Sequence, residues 1–322
     1  VVTYFKWFRC TIKLLVDNRP LFLYNNVSFK TDKEVKYLEN TFSKISSVIK
    51  SQLYPFIKLR GLSLLMYTFE DFFNHVVKEN DIKVLSHHFS MRKIDGLMLI
   101  DRRGQTSLSY EKENPTVRQN FTKCHELGHF VLGHQGSVFT ELKENQFSLE
   151  EVEANYFSAC LLMPDIVLLT KIFYQKLTFQ EVANSLTVST EALSIRLMDL
   201  LGYLLGGQKE WIQIIISHYQ SGNNSEIMNL FAKFHDSIVQ DYQSYEPGSQ
   251  EKILYLLGQK SFIADDDVPE LAQIEFRNAI TSKTIGTWAY YDRGKTIFYA
   301  WDKAKLTEKE AYQKAKNKYY LS

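Results

Sequence analysis

His125 and His129 stand four residues apart within FTKCHELGHFVLGH, Phe121 to His134. On a helix that spacing turns the two rings only about 40° from one another, so both project to one side. The pattern is meaningful only if the segment is helical and another element faces it. Asn114 suits an N-cap and Pro115 the first helical position, so a helix is expected to begin there, run through His129 and end at Gly133.

Glu126 follows the first histidine directly and completes H-E-x-x-H. In that pattern two histidines bind zinc, while the glutamate lies too far round the helix to ligate and acts as general base toward water. A third ligand is needed. SLEEVEANYFSACLLM, from Ser148, reads as a second helix with Glu151 at capping-box spacing and a stop before Pro164. It offers Glu150, Glu151 and Glu153. Glu151 shares a face with Asn155, Ser158 and Ala159, a small polar stripe suited to lie against the histidine helix. The stripes of Glu150 and Glu153 lead into Phe157, Cys160 and Leu161 and suit a core. The spacing therefore selects Glu151 as ligand and Asn155 as the partner that orients a histidine ring.

RQNFTKCHELGHFVLGH followed by EEVEANYFSACLLMP resembles the ImmA/IrrE family of zinc metallopeptidases over roughly residues 90–205. The resemblance implies zinc held by His125, His129 and Glu151, with Glu126 as base and Asn155 beside the ligands. It also implies a bacterial, phage or mobile-element protein that cleaves a helix-turn-helix transcriptional repressor to release stress or transfer genes. An oxyanion donor is expected in such a site, and Tyr156, Arg118 and His134 are the candidates. The fold class expected is α+β. A gluzincin-like core with a small antiparallel sheet would be followed by a helix-turn-helix-like segment and a mostly helical C-terminal domain with a β-hairpin.

A chain of 322 residues exceeds most single domains. The expected division is an N-terminal extension (1–60), a metallopeptidase core (61–166), a helix-turn-helix-like segment (167–205) and a C-terminal domain (206–322). GLMLIDRRGQTSLSY reads as a hairpin whose second strand, GQTSLSY, is a candidate acceptor of an extended substrate by strand addition. QGSVFTELKENQF reads as a surface loop, and TWAYYDRGKTIFYAW as a second hairpin.

The net charge of +1 provides no global field toward nucleic acid or anionic membrane. The second helix of the 176–205 segment carries Arg196 as its one basic residue, flanked by Glu191 and Asp199, a poor reader of phosphates. Packing or protein docking is the better expectation for it than DNA binding. Three cysteines at scattered positions favour a reducing compartment, the cytoplasm by default. Cys124 adjoins a ligand but points about 100° away from His125, as a small buried residue would. The opening Val1–Asn18 interrupts its apolar residues with Lys6, Arg9 and Lys13, which a signal peptide would not, and no apolar run approaches a membrane span. The alternative function is a protein that keeps the zinc fold but docks a repressor or toxin without cutting it, and such a binder would have no need of Glu126.

Overall fold

The computed structural model describes residues 32–89, 94–100, 104–134, 138–140, 148–280 and 284–321. The basic start Lys6–Lys13 and Cys10 lie outside them. Contacts divide the chain into two units, Val1–Glu39 and Asn40–Ser322. Of the first, only the opening turns of helix α1 (Asp32–Arg60) are described. Within the second unit, α1 buries Phe42, Ile45, Ile49, Leu53 and Phe56, apolar positions three or four apart that form one stripe.

Helix α2 (Glu70–Glu79) leads into a four-stranded sheet of β1 (Lys83–His87), β2 (Gly96–Ile100), β3 (Thr106–Glu111) and β4 (Val138–Thr140). The order is β1-β3-β2-β4. The expected hairpin is present: β2 and β3 pair antiparallel, Met98 opposite Leu108, and both side chains are fully buried. β1 runs parallel to β3, so the sheet is mixed rather than wholly antiparallel. This placement overturns the strand-addition expectation for GQTSLSY. β3 is hydrogen-bonded to β1 on one side and β2 on the other, leaving no edge for a substrate. The expected surface loop before α4 also contains a strand, β4, which pairs with β2.

Helix α3 (Thr116–Val131) packs on β2 and β3 and against α4 (Leu149–Leu162). Pro115 caps α3 from outside rather than opening it, one residue from the expected start. Ser148 caps α4 as expected, its hydroxyl accepting from the Glu151 N–H. After α4 come α5 (Asp165–Leu169), a π-helical turn (Thr170–Tyr174), α6 (Phe179–Leu186) and α7 (Thr190–Leu205). Thr178 and Glu181 form the capping box that opens α6.

Helices α8 (Lys209–Gln220), α9 (Ser225–Ser244) and α10 (Ser249–Gln259) precede a second sheet of order β5-β7-β6. Its strands are β5 (Phe262–Ala264), β6 (Ile285–Asp292) and β7 (Lys295–Asp302), with α11 (Ile274–Ala279) between β5 and β6. β6 and β7 form the expected aromatic hairpin. One sheet face packs Tyr290, Ile297, Tyr299 and Trp301 against Ala311 and Ala315 of α12 (Glu308–Leu321). The other joins Ile263, Ile285 and Ala300 to Ile253 and Leu257 of α10. Among the described residues no single helix is long and apolar enough to cross a membrane.

Candidate metal centre

α3 presents His125 and His129 inward, at 1% and 2% exposure. Their Nε2 atoms lie 3.1 Å apart. The Glu151 carboxylate, from the first turn of α4, completes the group, with Oε2 3.2 Å from His125 Nε2 and Oε1 3.5 Å from His129 Nε2. Ligands about 2.0–2.1 Å from a tetrahedral metal stand about 3.3 Å from one another. The three atoms therefore have the mutual spacing of ligands around a small dication.

Hydrogen positions follow from the outer partners. The Asn155 side-chain oxygen sits 3.0 Å from His125 Nδ1 and only accepts, so Nδ1 carries the hydrogen and Nε2 the lone pair. On the other side His129 Nδ1 meets His134 Nδ1 at 2.8 Å, and His134 Nε2 meets Glu153 Oε2 at 3.0 Å. Glu153 in turn accepts from Lys44 Nζ at 2.9 Å. Burial by itself would raise the Glu153 pKa, but hydrogen bonds from Lys44 and His134 outweigh it and hold the carboxyl below its ordinary value. An ionised Glu153 only accepts, so it takes the hydrogen of His134 Nε2, and His134 Nδ1 can then serve as the acceptor. His129 then donates from Nδ1 and keeps its lone pair on Nε2.

Both Nε2 lone pairs thus point at the space that the Glu151 oxygens also face. Burial, reinforced by the two neighbouring imidazoles, pushes the His129 pKa down to about 2, so a proton is disfavoured there. Converging neutral nitrogens and a carboxylate form a donor set that fits a metal cation.

Glu126 is buried where α3 meets β2. A Cβ built on Gly96 would sit 2.5 Å from Glu126 Oε1 and 2.4 Å from Thr122 Cγ2. A residue without a side chain is required for the β2 backbone to come this close to the carboxylate.

The remaining expected site residues separate. Asn155 holds His125, as the shared helix face suggested. Tyr156 turns about 140° from Glu151 around α4 and packs edge-on against Phe42 of α1. Arg118 is clamped on Asp95, its Nε at 3.2 Å and Nη2 at 2.8 Å from Oδ2. His134 is engaged at both ring nitrogens behind His129. Glu153, which the sequence assigns to a core stripe, and Lys44 join it there. The sequence carried a pointer to His134. Gly133 is left-handed (φ 67°), its N–H bonds to Phe130 O and the His134 N–H to His129 O, a Schellman end that folds the residue after the glycine back over His129. Cys124 is fully buried, and burial pushes its thiol well up, as befits a packing residue.

A histidine helix, a glutamate helix and a small sheet beneath them form an α+β domain with the fold of a gluzincin-like metallopeptidase. Residues 77–198, from the end of α2 into α7, match the family described as the IrrE N-terminal-like domain of peptidase M78. That segment is similar to this family, as the paired motifs suggested. No curated protein matches the chain.

Proposed function

We propose that this chain is a cytoplasmic zinc endopeptidase that performs limited proteolysis of a regulatory protein, a helix-turn-helix transcriptional repressor. The observation that carries the catalytic part is the convergence of the His125, His129 and Glu151 lone-pair atoms beside a buried Glu126. The repressor as substrate follows from the family resemblance.

Zinc, when bound, polarises a carbonyl and brings the pKa of water down to about 7. The protein's own residues do the rest. His125, His129 and Glu151 hold the ion, and Asn155 fixes the His125 tautomer. Glu126 takes a proton from the attacking water and returns it to the leaving amine. Because Gly96 has no side chain, the carboxylate has room beside the β2 backbone. Arg196, the one basic side chain of α7, is fully buried and paired with Asp165, so that helix offers no cation to a phosphate.

Two measurements test the reading. Elemental analysis is expected to give one zinc per chain, lost in Glu151→Ala and still attainable at saturation in Glu153→Ala. Cleavage of a purified neighbouring repressor is expected to fall by about 10²-fold or more in Glu126→Gln, the scale of general acid–base catalysis. Wild-type cleavage by that variant would remove the mechanism and leave a docking role.

A further inference from the structure

We propose that His134 and Glu153 are positioning residues that hold the metal ligand His129, through a relay running His129–His134–Glu153–Lys44. The inference rests on the reading that His125, His129 and Glu151 bind a metal, and it assigns work to residues outside that set.

Three observations support it. First, each link has hydrogen-bond length: 2.8 Å from His129 to His134, 3.0 Å on to Glu153 and 2.9 Å on to Lys44. Second, the relay is buried where it matters, since the His134 and Glu153 side chains are nearly closed to solvent and only Lys44 reaches water. Third, the backbone is built to deliver it. The left-handed Gly133 ends α3 so that His134 returns onto the turn that carries His129.

The two ligand histidines are then held by different means. His125 meets an amide oxygen of α4 directly. His129 reaches α4 through a second imidazole, whose far nitrogen ends on a carboxylate. A carboxylate behind a histidine raises its basicity toward a metal and fixes its ring plane, and loss of such partners typically weakens metal binding about 10- to 100-fold. The arrangement also explains why α4 carries Glu151, Glu153 and Asn155 together. One side of the helix supplies a ligand and the partner of His125, and Glu153, between them in sequence and about 200° round from Glu151, anchors the other histidine.

The test measures zinc affinity of the full chain by competition with a chromogenic chelator, with cobalt absorption spectra as a probe of ligand orientation. Thermal unfolding of the metal-free protein monitors the fold. His134→Ala is expected to bind zinc about 10- to 100-fold more weakly, reach one zinc per chain at saturation, and show an altered cobalt spectrum with its metal-free unfolding unchanged. His134→Asn, which restores an acceptor near the Nδ1 position, is expected to recover most of the affinity. Glu153→Gln serves if His134→Ala fails to fold, with an expected loss of under about 10-fold.

Wild-type affinity and spectrum in His134→Ala, or in Glu153→Gln where His134→Ala does not fold, would overturn the relay while leaving the metal site standing. A His134→Ala chain that cannot be saturated, like Glu151→Ala, would also overturn it by making His134 a ligand. A wild type that takes up no zinc would remove the parent reading, and the relay with it.

Discussion

Two buried polar clusters lie within the second unit, and their charges are arranged in opposite ways. Where α1, α5, α7 and α9 meet, Asp165 accepts from Lys50 at 2.6 Å and is paired with Arg196, while Lys50 also reaches Asp241 at 2.8 Å. Cations and anions of the chain face one another there, and the buried Asp199 adds a further negative charge near Arg196. Where α3 meets α4, His125, His129 and Glu151 bring lone pairs together, with Glu126 next to His125 in the same helix, and among the described residues Glu151 faces the two imidazoles rather than a lysine or arginine. A cluster that pairs charges of both signs holds helices together; one that gathers only donors leaves a place for an ion. Burial alone does not separate structure from function, but the signs of the groups brought together do.

The sharpest way to break that distinction is to remove one carboxylate from each cluster and measure denaturant unfolding of the metal-free protein. Asp165→Ala leaves Arg196 and Lys50 without their shared counter-ion and is expected to cost about 3–5 kcal/mol. Glu151→Ala removes a carboxylate that, among the described residues, faces only the two ligand imidazoles, so metal-free stability is expected to stay within about 1 kcal/mol of wild type or to rise. Equal destabilisation by the two would mean that both clusters are structural.

Much of this site was legible before the fold. His125, Glu126 and His129 declare themselves through helical period, and Ser148 and Pro164 bracket α4 by cap chemistry. Selection of Glu151 and Asn155 followed from one shared helix face. What stayed hidden depends on chain distance or on single backbone angles. Lys44 and Glu153 are 109 residues apart, and no local pattern links them. The direction of His134 hangs on one left-handed glycine. KVLSH escaped recognition as β1 because it is an exposed edge strand without apolar alternation. GQTSLSY was read as an acceptor edge because alternation identifies a strand but does not count its neighbours.

Acid sharpens the comparison at smaller magnitude. Burial by itself would raise Asp165, but the charges and hydrogen bonds of Arg196 and Lys50 outweigh it and lower its folded pKa below that of an ordinary aspartate. A carboxyl depressed in the folded state stabilises fully above its unfolded pKa of about 3.9, and that contribution fades as pH falls through the folded value. The stability gap between wild type and Asp165→Asn is therefore expected to hold from pH 7 to about 5 and to narrow below about 4. A gap that widened in acid would show that Asp165 is not the ionised centre of its cluster.

The smallest effect separates two lysines on one helix. Lys44 and Lys50 both reach carboxylates from α1, at 2.9 Å to Glu153 and 2.6 Å to Asp165, yet their side chains are 66% and 14% exposed. Water and salt screen the first pair, so Lys44→Met is expected to change metal-free stability by less than about 1 kcal/mol. Lys50→Met leaves Asp165 to Arg196 alone and strands Asp241, and about 2–3 kcal/mol is expected, toward the lower end for a broken buried pair because one partner survives. Parallel thermal melts at low and high salt check this, since only the Lys44 difference should shrink as salt rises. If the two variants behaved alike, the lysines would be equivalent tethers of α1. If they diverge, Lys50 belongs to the buried cluster of paired charges, and Lys44 is the solvent-facing end of the chain of contacts behind His129.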